Sequence, residues 1–409
     1  MDPGLDSSER VVDVERLVTG GAALAHEPTG RVVMIPGALP GERVRVRLVD
    51  ERPRMSTAAV ERVLEPSPVR VAPPCVELAN GCGGCDLQHA APPAQPGLKA
   101  DIVRDALGRA VRGGRFDEIA VTAGEALPPW RYRTTVRCAV DGDRLAFHER
   151  RSDALLAVGD CPVAHELVAE VIRDGRFPGA EEVTVRAGAR TGERLAVVSP
   201  SVGGGDEAGP AVVPEGVRVV GVDELRAGRR AWFHEEVAGH RFRISAQSFF
   251  QSGPEGAEAL VAAVRRALGP IDPATRLVDL YGGVGLFAAV LGTDRPVLVE
   301  RSASSVADAR VNLEGTGATV VRSSVERWRP SRADVVVADP ARAGLGRDGV
   351  SAVAATGAAR VALVSCDVAS LVRDVGLLAD AGYRATGIEV VDMFPNTHHV
   401  EAVTALERS

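Results

Sequence analysis

The sequence predicts an α/β protein whose C-terminal domain is a doubly wound sheet, preceded by a small β-barrel and a strand-rich central domain. From residue 255 onward, helix-like segments alternate with short apolar strands, the pattern of a mostly parallel sheet covered by helices. Residues 10–64 instead contain short alternating apolar stretches separated by Gly- and Pro-rich turns, the pattern of a small antiparallel barrel. The expected domains are 1–66, 67–244 and 245–409.

The bulk composition is that of an ordinary globular protein. At 409 residues the chain is too long for one compact core, and 45% apolar with 25% charged residues does not indicate disorder. Apolar runs are of strand length, and the N-terminus MDPGLDSSER is acidic and lacks an apolar segment. We therefore expect a cytoplasmic protein without a membrane span. The net charge of −7 argues against a strongly basic, nonspecific nucleic-acid binder, although local basic patches stay compatible with RNA.

One predicted barrel strand carries a row of arginines. In RVRVRLV, the side chains of Arg43, Arg45 and Arg47 share one face by the period-two geometry of a strand, opposite Val44 and Val46. This pattern is typical of a solvated barrel face, and equally of a face that follows the phosphates of an oligonucleotide.

Two segments of the central domain have recognisable local patterns. GLKADIVRDALGRAVR, at 97–112, has helical spacing of its apolar residues, and we expect this helix to pack on the C-terminal domain. The Gly-rich stretch at 202–211 predicts a surface loop.

A Gly-rich turn in the C-terminal domain indicates a cofactor site. DLYGGVGLF follows a predicted strand and opens a helix, and Gly283 and Gly285 permit a tight turn with close approach of a ligand to the backbone. Glu300 ends the next strand, where an acid can bind ribose hydroxyls, and Asp339 ends a third strand at the same edge. The pattern predicts a nucleotide- or adenosine-type cofactor, and on these residues alone a dehydrogenase is still an alternative.

Cys366 is the candidate nucleophile. It ends the apolar strand RVALVSC and precedes the helix ASLVRDVGLLADAG, so the helix dipole is expected to favour its thiolate. Cys138, inside TTVRCAV, has the pattern of an inert buried thiol. A thiolate that adds to C6 of uracil makes C5 nucleophilic toward a sulfonium methyl group, and a base must then remove the C5 proton. Glu401, at the start of the terminal strand, can supply that base.

The C-terminal motifs resemble those of a known enzyme family. DPARAGL (339–345), VSCDVASLVRD (364–374) and DMFPNTHHVE (392–401) resemble three motifs of the RNA uracil-5-methyltransferases of the RumA/TrmA type. SFFQ (248–251) and DLYGGVG (279–285) match that family's cofactor motifs, and residues 10–64 look like its N-terminal TRAM barrel. The resemblance implies a Rossmann-like methyltransferase domain that uses S-adenosylmethionine. It implies these roles by position: nucleophile, Cys366; base, Glu401; cofactor pocket, Gln251, Tyr281, Glu300 and Asp339.

The chain departs from the family's usual residues at several motif positions. The family usually has Asn at the position of Gly253, Cys at Gly282 and His, Gln or Tyr at Asn396. After the nucleophile it usually has Asn-x-x-Thr, where this chain has Asp367 and Ser370.

Four of the six cysteines form a second pattern. Cys75, Cys82 and Cys85 lie in CVELANGCGGCDLQH, and Cys161 lies in GDCPV. Four thiolates suit either zinc or a four-iron, four-sulfur cluster. CGGCDLQH followed by a distant Cys-Pro resembles the family's iron–sulfur site, although the spacing from Cys75 is one residue longer than usual. We expect a structural or RNA-positioning role, because methyl transfer moves no net electrons.

These observations predict an enzyme that forms 5-methyluridine in RNA. A barrel together with a cysteine cluster resembles the family's ribosomal-RNA branch, so we expect a single-stranded or loop region of 23S ribosomal RNA whose uridine flips out of its stack. No obligate protein partner is expected. The alternatives are a transfer-RNA uracil-5-methyltransferase and a non-catalytic RNA-binding protein with a decayed methyltransferase domain. Cytosine-5 methyltransferases usually carry a catalytic Cys after the strand-end Pro, where this chain has Ala341.

Overall fold

A computed structural model of the chain describes residues 8–110, 116, 119–201 and 209–409. The last two residues of the predicted 97–112 helix, and residues 202–208 of the predicted surface loop, lie outside the described residues.

The N-terminal strands form a closed barrel, as predicted. They are β1 (Glu9–Leu17), β2 (Ala23–His26), β3 (Val32–Ile35), β4 (Arg43–Glu51) and β5 (Met55–Glu65), in the order β1-β2-β3-β5-β4. Val44 and Val46 fill the barrel interior, whereas Arg43 and Arg47 are exposed and Arg45 is half-buried. Arg47 forms an ion pair with Glu61 at 3.0 Å, and Arg43 lies 4.0 Å from Glu65. These acidic partners favour a solvated face over a phosphate-binding one.

The central segment is built around a six-stranded sheet. Its elements are α1 (Val76–Ala79), α2 (Gln95–Ala110), β6 (Val121–Ala123), β7 (Thr135–Asp141), β8 (Arg144–His148), β9 (Leu155–Ala157), α3 (Glu166–Asp174), β10 (Glu182–Ala187), β11 (Arg194–Ser199), β12 (Val217–Gly221), α4 (Val222–Arg226), β13 (Trp232–Val237) and β14 (His240–Ser245). The sheet order is β12-β11-β10-β7-β8-β9, and β13 and β14 form a separate hairpin. Helix α3 packs on the sheet through an apolar face.

The C-terminal domain is the predicted doubly wound sheet. Its helices are α5 (Pro254–Leu268), α6 (Leu286–Val290), α7 (Ala303–Asn312), α8 (Gly346–Thr356) and α9 (Val368–Asp380). Its strands are β15 (Leu277–Leu280), β16 (Val297–Glu300), β17 (Thr319–Arg322), β18 (Val335–Ala338), β19 (Arg360–Ser365), β20 (Tyr383–Val391) and β21 (Glu401–Arg408). Successive residues of β18 enter different cores: Val335 and Val337 pack with α5, and Val336 and Ala338 with α8.

The order of strands creates the functional edge of this sheet. The order is β17-β16-β15-β18-β19-β21-β20-β6, in which β15 to β19 run parallel. Strand β21 is antiparallel to both of its neighbours, β19 and β20. The sheet is wound outward in both directions from β15 and β18, and the crevice at such a switch point is where α/β sheets bind ligands.

The predicted division at residue 244 differs from the structure in one respect. Strand β6, assigned by sequence to the central domain, pairs in parallel with β20 and completes the C-terminal sheet. Helix α2 packs against β20, α9 and β1, so one apolar core runs from the barrel to the C-terminal domain. A three-residue strand is too short to show periodicity, and it covers what would otherwise be an open sheet edge.

Within the described ranges, no helix combines the length and the apolar character needed to cross a membrane.

Candidate active site

The predicted nucleophile and base lie at the same edge of the C-terminal sheet. Cys366 directly follows β19, and Asp339 directly follows β18, so both stand at the carboxyl ends of parallel strands. Glu401 begins β21, which runs antiparallel beside β19 with Ala402 opposite Ser365. The antiparallel direction is what brings the start of β21 to the edge where β19 ends.

The thiol of Cys366 is not activated in the way its helix position suggests. Burial raises the pKa of Cys366 to about 11, and the nearby carboxyl groups of Glu401 and Asp339 act in the same direction. Arg342 is the charged residue that opposes them. The net shift of the Cys366 pKa is therefore opposite to the one predicted from the dipole of α9.

Glu401 and Asp339 form a pair of carboxyl groups in a poorly hydrated environment. Glu401 is 5% exposed, and burial raises its pKa well above the ordinary value, with a further contribution from Asp339. Burial also raises the pKa of Asp339. Carboxyl groups whose pKa is raised are suited to accepting and returning protons, so the edge has the electrostatic character of an acid–base site.

Other predicted cofactor residues lie at the end of β15 and in the SFFQ segment. Tyr281 leaves β15 with a φ of +60°, and Gly283 and Gly285 follow it at the start of α6. The Nε2 of Gln251 donates to Asp339 at 3.5 Å, which joins the SFFQ segment to the end of β18.

Glu300 binds the turn directly. Its Oε2 accepts from the backbone N–H of Gly283 at 3.2 Å, and its Oε1 accepts from that of Ser302 at 2.6 Å. The carboxylate is therefore fixed at the end of β16, at the position from which an acid reaches ribose hydroxyls.

Asp279, in the strand before the turn, was not singled out by the sequence analysis as a site residue. It is fully buried, its Oδ2 accepts from the N–H of Ala288 at 3.0 Å, and its Oδ1 has no hydrogen-bond partner among the described residues. Burial raises its pKa to about 8. Its position in the DLYGGVG motif could have identified it as a site residue, but the apolar pattern alone predicts only that it belongs to a buried strand.

The turn itself lies close against the sheet at Gly282. A Cβ at this position would stand 2.6 Å from Leu298 Cγ and 3.1 Å from Asp279 Cγ, so a side chain does not fit. This close packing accounts for glycine where the family usually has Cys. A backbone cradle, an unpaired buried acid and a fixed carboxylate at a strand end together fit an adenosine-type cofactor.

Two further motif departures have local explanations. Gly253 has a φ of +137°, and a Cβ there would lie 2.7 Å from the carbonyl oxygen of Tyr132, so only glycine is accommodated. Asp367 caps α9: its side chain accepts from the N–H of Ser370 at 2.8 Å, and the Ser370 hydroxyl donates to the Asp367 carbonyl at 3.0 Å. The Asp and Ser pair thus closes the first turn of α9 after the nucleophile.

The four clustered cysteines line one cavity between the barrel and the central sheet, away from Cys366. Its volume is about 600 Å³, and Cys75, Cys82, Cys85 and Cys161 all contribute to its wall. The loop that carries three of them is held by backbone hydrogen bonds to the β8–β9 hairpin, from Gly83 N–H to His148 O and from Arg150 N–H to Gly81 O. Four thiols in an ordered pocket are a donor set suited to an iron–sulfur cluster. In the described part of the chain, no three His, Cys, Asp or Glu side chains are close enough together to hold a single metal ion.

Comparisons with known proteins agree with this architecture. Residues 7–60 match the model of the TRAM domain. The chain is 34% identical to an uncharacterized RNA methyltransferase of Streptomyces coelicolor, over 98% of this chain and 93% of the relative. It is 31% identical to the 23S rRNA (uracil(1939)-C(5))-methyltransferase RlmD of Shewanella amazonensis, over 98% of this chain and 96% of the relative.

A solved structure shares the whole fold. The Pyrococcus abyssi tRNA (uracil-54, C5)-methyltransferase, determined in complex with S-adenosyl-L-homocysteine, superposes with a TM-score of 0.71. The match covers 97% of this chain and 99% of that protein, at 22% sequence identity.

Proposed function

The chain belongs to the RNA uracil-5-methyltransferase family, and we propose that it methylates C5 of a uridine through a covalent intermediate on Cys366. The observation that supports this mechanism is the meeting of Cys366 and Glu401 at one sheet edge, beside a Gly-rich crevice. A dehydrogenase needs neither the thiol nor the buried base at this position. The family assignment and the site chemistry therefore favour the same reaction.

The methyl donor in this proposal is S-adenosylmethionine, which supplies an electrophilic methyl group on a positively charged sulfur. Glu300 would hold the ribose hydroxyls, and the backbone around Gly283 and Gly285 would lie against the ligand. Gln251, Tyr281 and Asp339 would complete the pocket. Because these residues come from three strand ends and the SFFQ segment, the donor would lie at the switch point next to the thiol.

Cys366 and Glu401 divide the chemistry between them. The thiolate of Cys366 would add to C6 of the uracil, which turns the ring into an enolate; C5 would then take the methyl group as its bond to sulfur breaks and S-adenosylhomocysteine leaves. Glu401 then takes the C5 proton, the C6–S bond breaks, and the thiolate is released with 5-methyluridine. The raised pKa of Glu401 gives it the proton affinity that this step requires.

We further propose that the substrate is 23S ribosomal RNA, in a single-stranded or loop region. The supporting features are the TRAM domain, the four clustered cysteines and relatives named for 23S rRNA. A target uridine has to leave its stack, since C6 must reach a thiol that is partly buried at the sheet edge.

The test of the proposed function is methyl transfer to defined RNAs. The protein is incubated with S-adenosylmethionine carrying a labelled methyl group and with either 23S rRNA fragments or transfer-RNA transcripts. We expect 5-methyluridine in digested 23S rRNA. Label only in transfer RNA would assign the chain to the alternative substrate. Cofactor binding without transfer to any RNA would favour the non-catalytic alternative, and 5-methylcytidine would contradict the uracil assignment.

For the cysteine cavity, we propose a four-iron, four-sulfur cluster held by Cys75, Cys82, Cys85 and Cys161. Anaerobically purified protein should be brown and contain about four iron and about four acid-labile sulfide per chain. Cys85→Ser should remove the colour and most of the iron. Cys138→Ser changes a buried cysteine outside the cavity and should keep both. Stoichiometric zinc without labile sulfide would overturn the cluster and leave the methyltransferase proposal standing.

A further inference from the structure

The segment that leads into Glu401 is held by the central part of the chain. This catalytic loop, residues 392–400, connects β20 to β21. Lys99, the chain's single lysine, donates from Nζ to Asp392 at 2.5 Å and to the carbonyl of Phe394 at 2.9 Å, and it is fully buried. The Tyr132 hydroxyl donates to the carbonyl of Pro395 at 2.9 Å. The start of the catalytic loop is thus anchored to α2 and to the segment before β7.

Asn396 anchors the middle of the catalytic loop. It is 1% exposed and has a φ of +68°, a left-handed conformation that Asn tolerates better than most residues. Its backbone N–H donates to Gln95 at 2.6 Å, and its side-chain Nδ2 donates to the carbonyl of Pro129 at 2.7 Å. Its carbonyl accepts from the backbone N–H groups of Asp86 and Leu87, at 3.1 and 3.0 Å. The loop is therefore tied to the residues that directly follow Cys85.

Asp86 makes the last of these contacts before the base. Its Oδ1 accepts from the backbone N–H of His398 at 2.8 Å, and its Oδ2 lies 2.5 Å from His398 Nδ1. The barrel reaches the same point, since a Cβ on Gly21 would stand 2.4 Å from the Cβ of His398. The catalytic loop therefore meets the barrel and the cysteine loop, which carries Cys75, Cys82 and Cys85, at His398, three residues before Glu401.

We propose that Asp86 is a positioning residue that acts through His398 to hold Glu401 in place for removal of the C5 proton. The inference rests on the proposed function. Asp86 contacts both the backbone N–H and the ring of His398. Val400, between His398 and Glu401, is buried, so a displacement of His398 should also displace Glu401. Cys366 lies between β19 and α9, and among the described residues neither element forms a hydrogen bond or ion pair with Asp86. Loss of Asp86 should therefore disturb the base more than the nucleophile.

The expected consequence is a selective slowing of the last step. Asp86→Ala and His398→Ala should still form the covalent adduct and transfer the methyl group, but should release the product about tenfold to a hundredfold more slowly, as expected for a small displacement of a catalytic group. A methylated protein–RNA complex should accumulate on denaturing gels. Asp86→Asn keeps an acceptor for the His398 N–H and should restore most of the release rate. The double variant should be no slower than either single variant, because both remove the same contact.

The matched control is Asp160→Ala. Asp160 directly precedes Cys161, just as Asp86 directly follows Cys85. It pairs with both terminal nitrogens of Arg131 at 3.0 and 2.8 Å, and among the described residues it forms no hydrogen bond to residues 392–400. This variant should release product at the wild-type rate. Iron content and the Kd for S-adenosylmethionine should be the same in Asp86→Ala as in the wild type.

Three outcomes overturn the proposal. The first is that Asp86→Ala releases the product at the wild-type rate while Glu401→Gln accumulates the covalent complex in the same assay. Equal accumulation by Asp160→Ala is the second, because the effect would then come from general loosening of the cysteine loop. If neither Glu401→Gln nor wild type with 5-fluorouridine RNA forms any covalent complex, the proposed function fails first, and the inference fails with it.

Discussion

Replacing Cys366 with alanine should lower the methylation rate by about four orders of magnitude or more, the scale on which loss of a covalent nucleophile acts. Without the thiolate, C5 of uracil is not nucleophilic enough to attack the methyl group. The change should leave the cofactor crevice intact, because Glu300 and the Gly-rich turn stand on other strands. Methyl transfer to RNA and the Kd for S-adenosylmethionine are the two measurements.

The same thiol can be trapped directly. RNA carrying 5-fluorouridine should form a stable adduct with the wild type and none with Cys366→Ala, because fluorine at C5 cannot be removed as a proton. Adduct formation should become faster as the pH rises through neutrality, since the thiolate fraction increases below a pKa of about 11. Cys138→Ala, at the buried cysteine of β7, is the matched control and should form the adduct. An active wild type that forms no adduct would exclude the covalent mechanism.

Replacing Glu401 with glutamine should stop the reaction one step later. Thiol addition and methyl transfer do not need the base, whereas release of the product does. Turnover should fall by about 10²- to 10⁴-fold, the usual contribution of a general base. A methylated covalent complex with labelled methyl should accumulate on a denaturing gel.

The control for Glu401 lies on the same strand. Glu407, near the other end of β21, is exposed and faces Arg384 at 3.5 Å, so Glu407→Gln keeps the strand and removes a surface charge. It should turn over like the wild type. If Glu401→Gln also turned over at the wild-type rate, Glu401 would be removed from the mechanism.

The sequence was most informative where a pattern reports local backbone geometry. Alternation along β4 predicted the barrel interior at Val44 and Val46, and apolar strands between helices predicted the doubly wound sheet. The carboxyl ends of parallel strands share one edge, so the common location of Glu300, Asp339 and Cys366 followed from the same pattern.

The motif departures were visible in the sequence, but their consequences were not. Gly282 stands where the family has Cys because Leu298, sixteen residues later, occupies the space. Asn396 adopts a left-handed conformation, and its backbone N–H and side-chain amide donate to Gln95 and Pro129, some three hundred residues earlier in the chain. Neither partner has a spacing or a periodicity that connects it to its motif.

The sequence by itself determined the three-part architecture, the parallel strand ends and the residue types available at the sheet edge. Only the tertiary structure decided that β21 lies antiparallel beside β19, which brings Glu401 to Cys366, and that β6 completes the C-terminal sheet. It also decided the sign of the pKa shift at Cys366 and the contact between Asp86 and His398. The physical reason is that periodicity records which face of a local element is buried. Strand order, desolvation and contacts between distant segments depend instead on how the finished elements pack.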